Sequence, residues 1–354
     1  MRGAALLAAL EPLQVWYSVV LVADVFFAFL FLTALLFLLR WLELKKIPNI
    51  LVAGLALGLA SYFRPVGLYG ALFLTIALAV FLFWKREISK RNLVSLGLFI
   101  LTAWVTILPW QIHNFYVFDD FSFSSLSISN FFDFAAPATL SIQERRHFDD
   151  VTTELRSQLK KEAPDPNYVE SFKNSDYILG RSFDIIKQYP VAYLKAYLLG
   201  GVNTFLFSGN YHFMLQRYNI IVAPPDGLSF SLVLAQGGVK ALFKKILETI
   251  TTPYVFIAFS GKIIWIIFTL GSLWGAWLKK NQALGFIFLS SVIYFVLANI
   301  PMGLSIEARH RYMLNPLIFL FFFGLCHRIK SCMFPRKTFV ETKPAGGMSG
   351  FSLK

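Results

Sequence analysis

Long apolar runs alternate with short polar connectors along this chain, at about 15–39, 49–63, 66–84, 93–112, 254–278, 283–301 and 312–327. A bilayer-crossing helix needs roughly 17–25 mostly apolar residues. The pattern therefore predicts an all-α polytopic membrane protein with about seven transmembrane helices. Runs 49–63 and 312–327 are short by that measure, and breaks, tilt or loops dipping into the bilayer are expected there. Residues 3–13, GAALLAALEPL, read as the end of an apolar helix, with Leu6, Ala9 and Leu10 on one stripe until Pro12 interrupts it. So short a segment is either an interfacial helix or the remainder of spans lying upstream. Nothing in the first run reads as a cleavable signal peptide, because cytoplasmic-type charge and no small-residue cleavage site follow it. Pro48 opens the second run, where Gly54 and Gly58 form a small-xxx-small face for close helix packing. That run should stop at Arg64-Pro65, since the residue before a proline is pushed out of helical geometry.

The interval 113–252 has a different texture. A soluble-looking helical stretch with mixed charges covers about 141–187. The apolar stretch 191–207, with Lys195, Gly200 and Gly201, reads as interfacial or re-entrant, and a pair of further crossings within 190–252 would preserve the same topology. Lys240, Lys244 and Lys245 interleave with Leu242, Phe243, Ile246 and Leu247, the pattern of an amphipathic helix lying on a leaflet. Residues 338–354, with Gly346, Gly347 and Ser349, read as a disordered tail. The expected division is N-terminal membrane helices in 1–112, a mostly helical extracytoplasmic segment in 113–252, C-terminal membrane helices in 253–330 and a cytoplasmic tail in 331–354.

Charge adds orientation. Arg40, Lys45 and Lys46 follow the first run; Lys85, Arg86, Lys90 and Arg91 follow the third. Lys279 and Lys280 follow the fifth, and Arg328, Lys330, Arg336 and Lys337 the seventh. By the positive-inside bias these clusters are cytoplasmic, which leaves 113–252 on the far side. The net charge of +13 is not the signature of a nucleic-acid binder. Residues 113–252 carry 13 Lys and Arg against 14 Asp and Glu, whereas the rest carries 20 against 6, mostly beside spans. That excess orients the protein and touches anionic lipid. Cys326 and Cys332, the only cysteines, make neither a disulfide framework nor a metal site, and His113, His147 and His212 lack metal-ligand spacing. No phosphate-cradling glycine loop and no nucleophile elbow is present.

Candidate chemistry gathers where spans meet the outer side. Asp24, in WYSVVLVADVFF, is a costly carboxylate whose reading is either a cavity-facing group or a partner for a basic side chain. Arg64 ends its helix on the side that otherwise avoids bases. It either snorkels to headgroups or clamps a phosphate with its fork of donors. Glu307, Arg309, His310, Arg311 and Tyr312 crowd the turn before the last span, either as a solvated turn or as an anion site. Arg309 and Arg311 would not share a helix face, so one of them would point at a ligand. Lys262 marks the start of its span or reaches a lipid phosphate.

Four stretches carry a likeness: EPLQVWYSVVLVADVFFAFLFLTALLFLLR, GLALGLASYFRPVGLYG, LPWQIHNFYVFDDFSFSSLS and EARHRYMLNPLIF. In order and spacing the chain resembles the membrane-embedded C-type glycosyltransferases that use polyprenyl-phosphate sugars. That group includes protein O-mannosyltransferases and the aminoarabinose transferase of lipid A. The resemblance implies that Asp24 is the second acidic position near the active site, that Arg64 is the Arg-Pro arginine, and that Arg311 and Tyr312 are the late Arg-Tyr pair. His113-Asn114 stands where many relatives have Arg-Asn, so Asn114 is carried over as substrate-binding and the charge role at 113 is not. It also implies that about three spans and a first outer loop, bearing the acid that activates the acceptor, precede the position of Met1 in relatives.

The function implied is transfer of a sugar from a polyprenyl-phosphate donor to a lipid, glycan or protein acceptor at the outer face. Asp24 would be the catalytic residue, orienting the acceptor or the donor headgroup, while Arg64, Arg309, Arg311, Tyr312, Lys262 and Asn114 bind substrate. The lipid-linked sugar is substrate, and no cofactor or metal is implied. A bacterial inner membrane is the expected location. The alternatives are a truncated, non-catalytic relative that binds lipid-linked sugars, or a flippase for them, although a flippase should carry polar residues along a path through the bilayer.

Overall fold

The computed structural model describes residues 2–19, 23–164, 172–206, 215, 217–221, 230–298 and 308–333, and among these every regular element is helical. The expected tail at 338–354 lies outside the described residues. Two short helices, α1 (Arg2–Leu10) and α2 (Pro12–Val19), are separated at Glu11. Pro12 begins α2 because a proline at a first helical position forfeits no hydrogen bond. Within the run expected from 15, α2 is described to Val19 and the long helix α3 spans Ala23–Leu44. The helices α4 (Ile47–Phe63), α5 (Val66–Trp84) and α6 (Lys90–Phe118) follow.

Close approach governs this first half of the bundle. A Cβ on Gly54 would stand 2.7 Å from the Phe99 carbonyl oxygen, and one on Gly58 the same 2.7 Å from that of Ala103. Only glycine lets α4 lie this near α6. The helix α4 ends where the proline rule places its end: Arg64 is extended (φ −145°, ψ 119°), and its N–H still bonds the Ala60 carbonyl.

The C-terminal half comprises α13 (Pro253–Trp277), α14 (Ala283–Ala298), a 3₁₀ turn at Ala308–Leu314 and α15 (Asn315–Met333). The helix α13 packs on α15, α14 on α5, and α1 on α15. Phe27, Phe31 and Phe295 meet edge to face and stacked, and the Tyr294 hydroxyl donates to the Val66 carbonyl, tying the two halves together.

Five helical stretches, Ala23–Leu44, Val66–Trp84, Lys90–Phe118, Pro253–Trp277 and Arg311–Ile329, are long and apolar enough to cross a membrane; Ile47–Phe63 and Ala283–Ala298 are apolar but shorter. The shortness expected of the last run is thus corrected, because Arg311 and the turn residues extend it. Exposed Tyr69, Leu72, Ile76, Val80 and Phe83 line the outside of α5 at helical spacing, a surface suited to lipid. The protein is an all-α polytopic membrane protein.

Between the halves lies a helical unit: α7 (Leu126–Asn130), a π turn at Phe131–Ala135, α8 (Ala136–Glu144), α9 (Phe148–Glu162) and α10 (Ser175–Gln188). Phe132, Val151, Leu155, Leu159, Ile178 and Ile185 form its core. The helix α11 (Pro190–Leu206) packs on α8, on α13 and α14, and on the 308–314 turn. It is the strut joining the unit to the bundle. The helix α12 (Phe230–Thr249) kinks at Gly238, whose φ of 71° suits a residue with no Cβ. Among the described residues of 190–252, no helix is long and apolar enough to cross a membrane.

Candidate functional site at one end of the bundle

Four segments distant in sequence converge where α3 begins and α4 ends. Asp24 lies in the first turn of α3, where the positive end of the helix dipole favours a carboxylate. It is 3 % exposed. Its Oδ1 is 2.7 Å from Nη1 of Arg64, a charge contact rather than an aligned hydrogen bond. The extended backbone before Pro65 turns Arg64 back over the start of α3, and 20 % of its side chain stays accessible. Of the two readings of Asp24, the structure shows the partner for a basic side chain, and that partner is Arg64.

The third segment is the 308–314 turn, which packs on α3 and α11. Arg311 is fully buried. Its guanidinium carbon lies 3.7 Å from the ring centre of Trp265 on α13, and its Nη1 donates to the Phe205 carbonyl of α11 at 3.3 Å. A desolvated cation over an indole face gains about 2 kcal/mol or more. Arg311 is therefore no residue of a solvated turn. Tyr312 is also buried and lies within electrostatic reach of both Glu11 and Asp24.

Glu11 is the fourth segment and was not among the residues the sequence singled out. It is 5 % exposed, and its Oε2 accepts from the Gln14 N–H at 2.8 Å, capping α2. An acid directly before a proline that opens a helix was the available signal. Its burial beside Tyr312 was not readable locally.

Lys262 is half-buried on α13, one turn before Trp265 and so on a neighbouring part of that helix's surface. The Asn114 amide nitrogen donates to the carbonyls of Ser122 (2.8 Å) and Phe123 (3.2 Å), so it clamps the loop after α6. Phe123 in turn meets Tyr62, whose hydroxyl donates to the Thr106 carbonyl, close to the end of α4. His113 is exposed and stacks on Trp110. Glu307 lies outside the described residues; so do the side chains of Arg309 and His310. Among the described residues no three His, Cys, Asp or Glu side chains gather into a group able to hold a metal.

The arrangement gathers two carboxylates, two guanidiniums and a phenol around the start of α3 and the end of α4. In comparisons with family models, with curated proteins and with solved structures, nothing matches the chain.

Proposed function

We propose that this integral membrane protein is a glycosyltransferase that moves a sugar from a polyprenyl-phosphate donor to an acceptor at the outer face of its membrane. The observation that carries the reading is the convergence of Glu11, Asp24, Arg64 and Arg311–Tyr312, from four separate segments, at one end of the bundle. A donor with a polyprenyl tail and a phosphate head suits a lipid-facing helical surface that ends at the partly accessible guanidinium of Arg64. In the reaction an acceptor oxygen bonds the anomeric carbon as the carbon–oxygen bond to phosphate breaks. The hydroxyl proton passes to a carboxylate, and polyprenyl phosphate departs. Arg64 and Arg311 stabilise the charge that grows on the leaving phosphate, a large term where the donors are already in place. Asp24 positions Arg64 and, through it, the donor head. Of the two described carboxylates at this end, Glu11 is the one assigned to take the proton. The basic clusters favour an orientation with 113–252 extracytoplasmic and the C-terminus cytoplasmic, and the family resemblance favours a bacterial inner membrane.

One observation favours a second reading, a non-catalytic binder of lipid-linked sugars. Asp24 and Arg64 face each other at 2.7 Å, and such a pair also serves as a packing tie. Transfer of labelled sugar from polyprenyl-phosphate donors, measured with the chain in nanodiscs, separates the two. The transferase reading expects Arg64→Ala and Asp24→Asn to lower turnover by about 10²-fold or more, the scale of removing one charge-stabilising donor. Donor binding without turnover in the unaltered chain would establish the binder instead. Movement of the donor between leaflets without transfer would establish a flippase.

A further inference from the structure

A second polar site lies in the helical unit, away from the bundle end. The core stripe of α9, Val151, Leu155 and Leu159, faces Ile178 and Ile185 of α10, and both helices rest on α8. Beside this stripe the two helices do not close on each other. They leave an open cleft of about 210 Å³, with Val151, Leu155 and Ile185 as its floor. Glu154, Gln158, Arg181, Asp184, Gln188 and Tyr189 make up its walls. Residues 154 and 158 are i,i+4 on α9, as 184 and 188 are on α10, so each pair projects from one helix face.

The contacts across the walls are loose. Arg181 Nη2 stands 3.5 Å from Gln158 Oε1, and Gln158 Nε2 stands 3.4 Å from Glu154 Oε1, both beyond the usual range of strong hydrogen bonds. The side chains of Asp184 and Gln188 make no hydrogen bond to the described residues. Only Arg146 is firmly engaged, at 3.0 Å from Glu144 and 2.7 Å from Glu154. Apart from this bridge, donors and acceptors lie round an apolar floor, near one another but loosely engaged. Three carboxylates, Glu144, Glu154 and Asp184, outnumber the two guanidiniums, Arg146 and Arg181, which disfavours an anion. The cation-attracting groups are themselves opposed by arginine, which disfavours an amine.

We infer that this cleft binds an uncharged polyhydroxyl compound, a sugar residue, whose hydroxyls replace the loose contacts while one ring face lies on the apolar floor beside Tyr189. Hydroxyls both give and accept, and so match a wall of mixed carboxylate, amide and guanidinium. This inference does not rest on the transferase reading.

Saturation-transfer NMR on the chain in nanodiscs free of glycoside detergents tests it, with neutral methyl hexopyranosides, a sugar phosphate and an amino sugar as probes. Saturation of the neutral glycosides is expected, with a dissociation constant on the order of 1 mM. A loss of about tenfold or more is expected in Asp184→Ala and, independently, in the exposed Gln188→Ala, with melting temperature unchanged. Gln158→Leu combined with Asp184→Leu should fill the cleft, abolish saturation and leave the protein folded. Arg64→Ala, at the bundle end, should leave the signal intact, so failure of the transferase reading leaves this result standing. No saturation by any glycoside at tens of millimolar, a preference for the phosphate or the amine, or signals indifferent to the wall variants would overturn the proposal.

Discussion

The bundle-end cluster and the cleft of the helical unit use the same side chains to opposite effect. Each joins arginines to carboxylates beside a tyrosine. At the bundle end Asp24 and Arg311 are 3 % and 0 % exposed; in the cleft the side chains of Arg146, Glu144 and Glu154 are 42 %, 38 % and 48 % exposed. Charges removed from water interact strongly and are expensive to separate, whereas exposed pairs are screened and contribute little. The helical unit holds many more charges, yet removing one partner of the few at the bundle end should cost more. Their fixed positions suit charge stabilisation, while the loosely held groups of the cleft suit exchange of partners with a weak ligand.

The sharpest break in this contrast comes from removing one charge of the buried pair. Asp24→Ala leaves Arg64 without its counter-charge and should cost about 3 kcal/mol, the lower end for a buried pair because Arg64 keeps some water. The combined Asp24→Leu, Arg64→Leu variant should recover most of that loss. Denaturant titration in bicelles checks it, and strictly additive single losses would show that the two charges do not support each other.

Glycines sharpen the comparison at a smaller scale. Gly58→Ala pushes a Cβ to 2.7 Å from the Ala103 carbonyl oxygen and should cost about 1–3 kcal/mol. Gly180, inside α10, has nothing within 4 Å of an added Cβ, so Gly180→Ala should stabilise by about 0.4–1 kcal/mol. Opposite shifts in melting temperature are the expected outcome. The same sign in both would contradict the close approach of α4 and α6.

The smallest effect is a pH dependence in the helical unit. Burial, followed by its hydrogen bond to Glu162 at 2.6 Å, raises the Tyr177 hydroxyl above its ordinary range. A raised tyrosine keeps its proton longer in the folded state. Its contribution is full below about pH 10 and lost as pH rises through the folded value. Tyr177→Phe should therefore lower the melting temperature slightly at neutral pH and flatten its alkaline fall. An unaltered alkaline limb would count against this assignment.

Much of the fold was legible because its causes are local. Apolar run length marks the spans, Pro12 and Pro65 mark the breaks, and Gly54 and Gly58 mark the close face of α4. Each follows from covalent geometry or from the thickness of a bilayer. Asp24 and Arg64 stood out in the sequence because they are charges in segments that otherwise exclude charge, and Arg311 because it lies in a crowd of charges before the last span. What each of them meets was not. Asp24 pairs with Arg64, Arg311 lies over Trp265 and reaches Phe205, Glu11 joins through α2, and Asn114 turns to its own loop. The cleft between α9 and α10 depends likewise on how far apart two helices settle on α8. The sequence by itself determined which segments are helices, where they break and which charges are costly. Tertiary structure alone decided which charges meet and at what burial, because helical periodicity fixes the face of one helix but not the partner that packing sets against it.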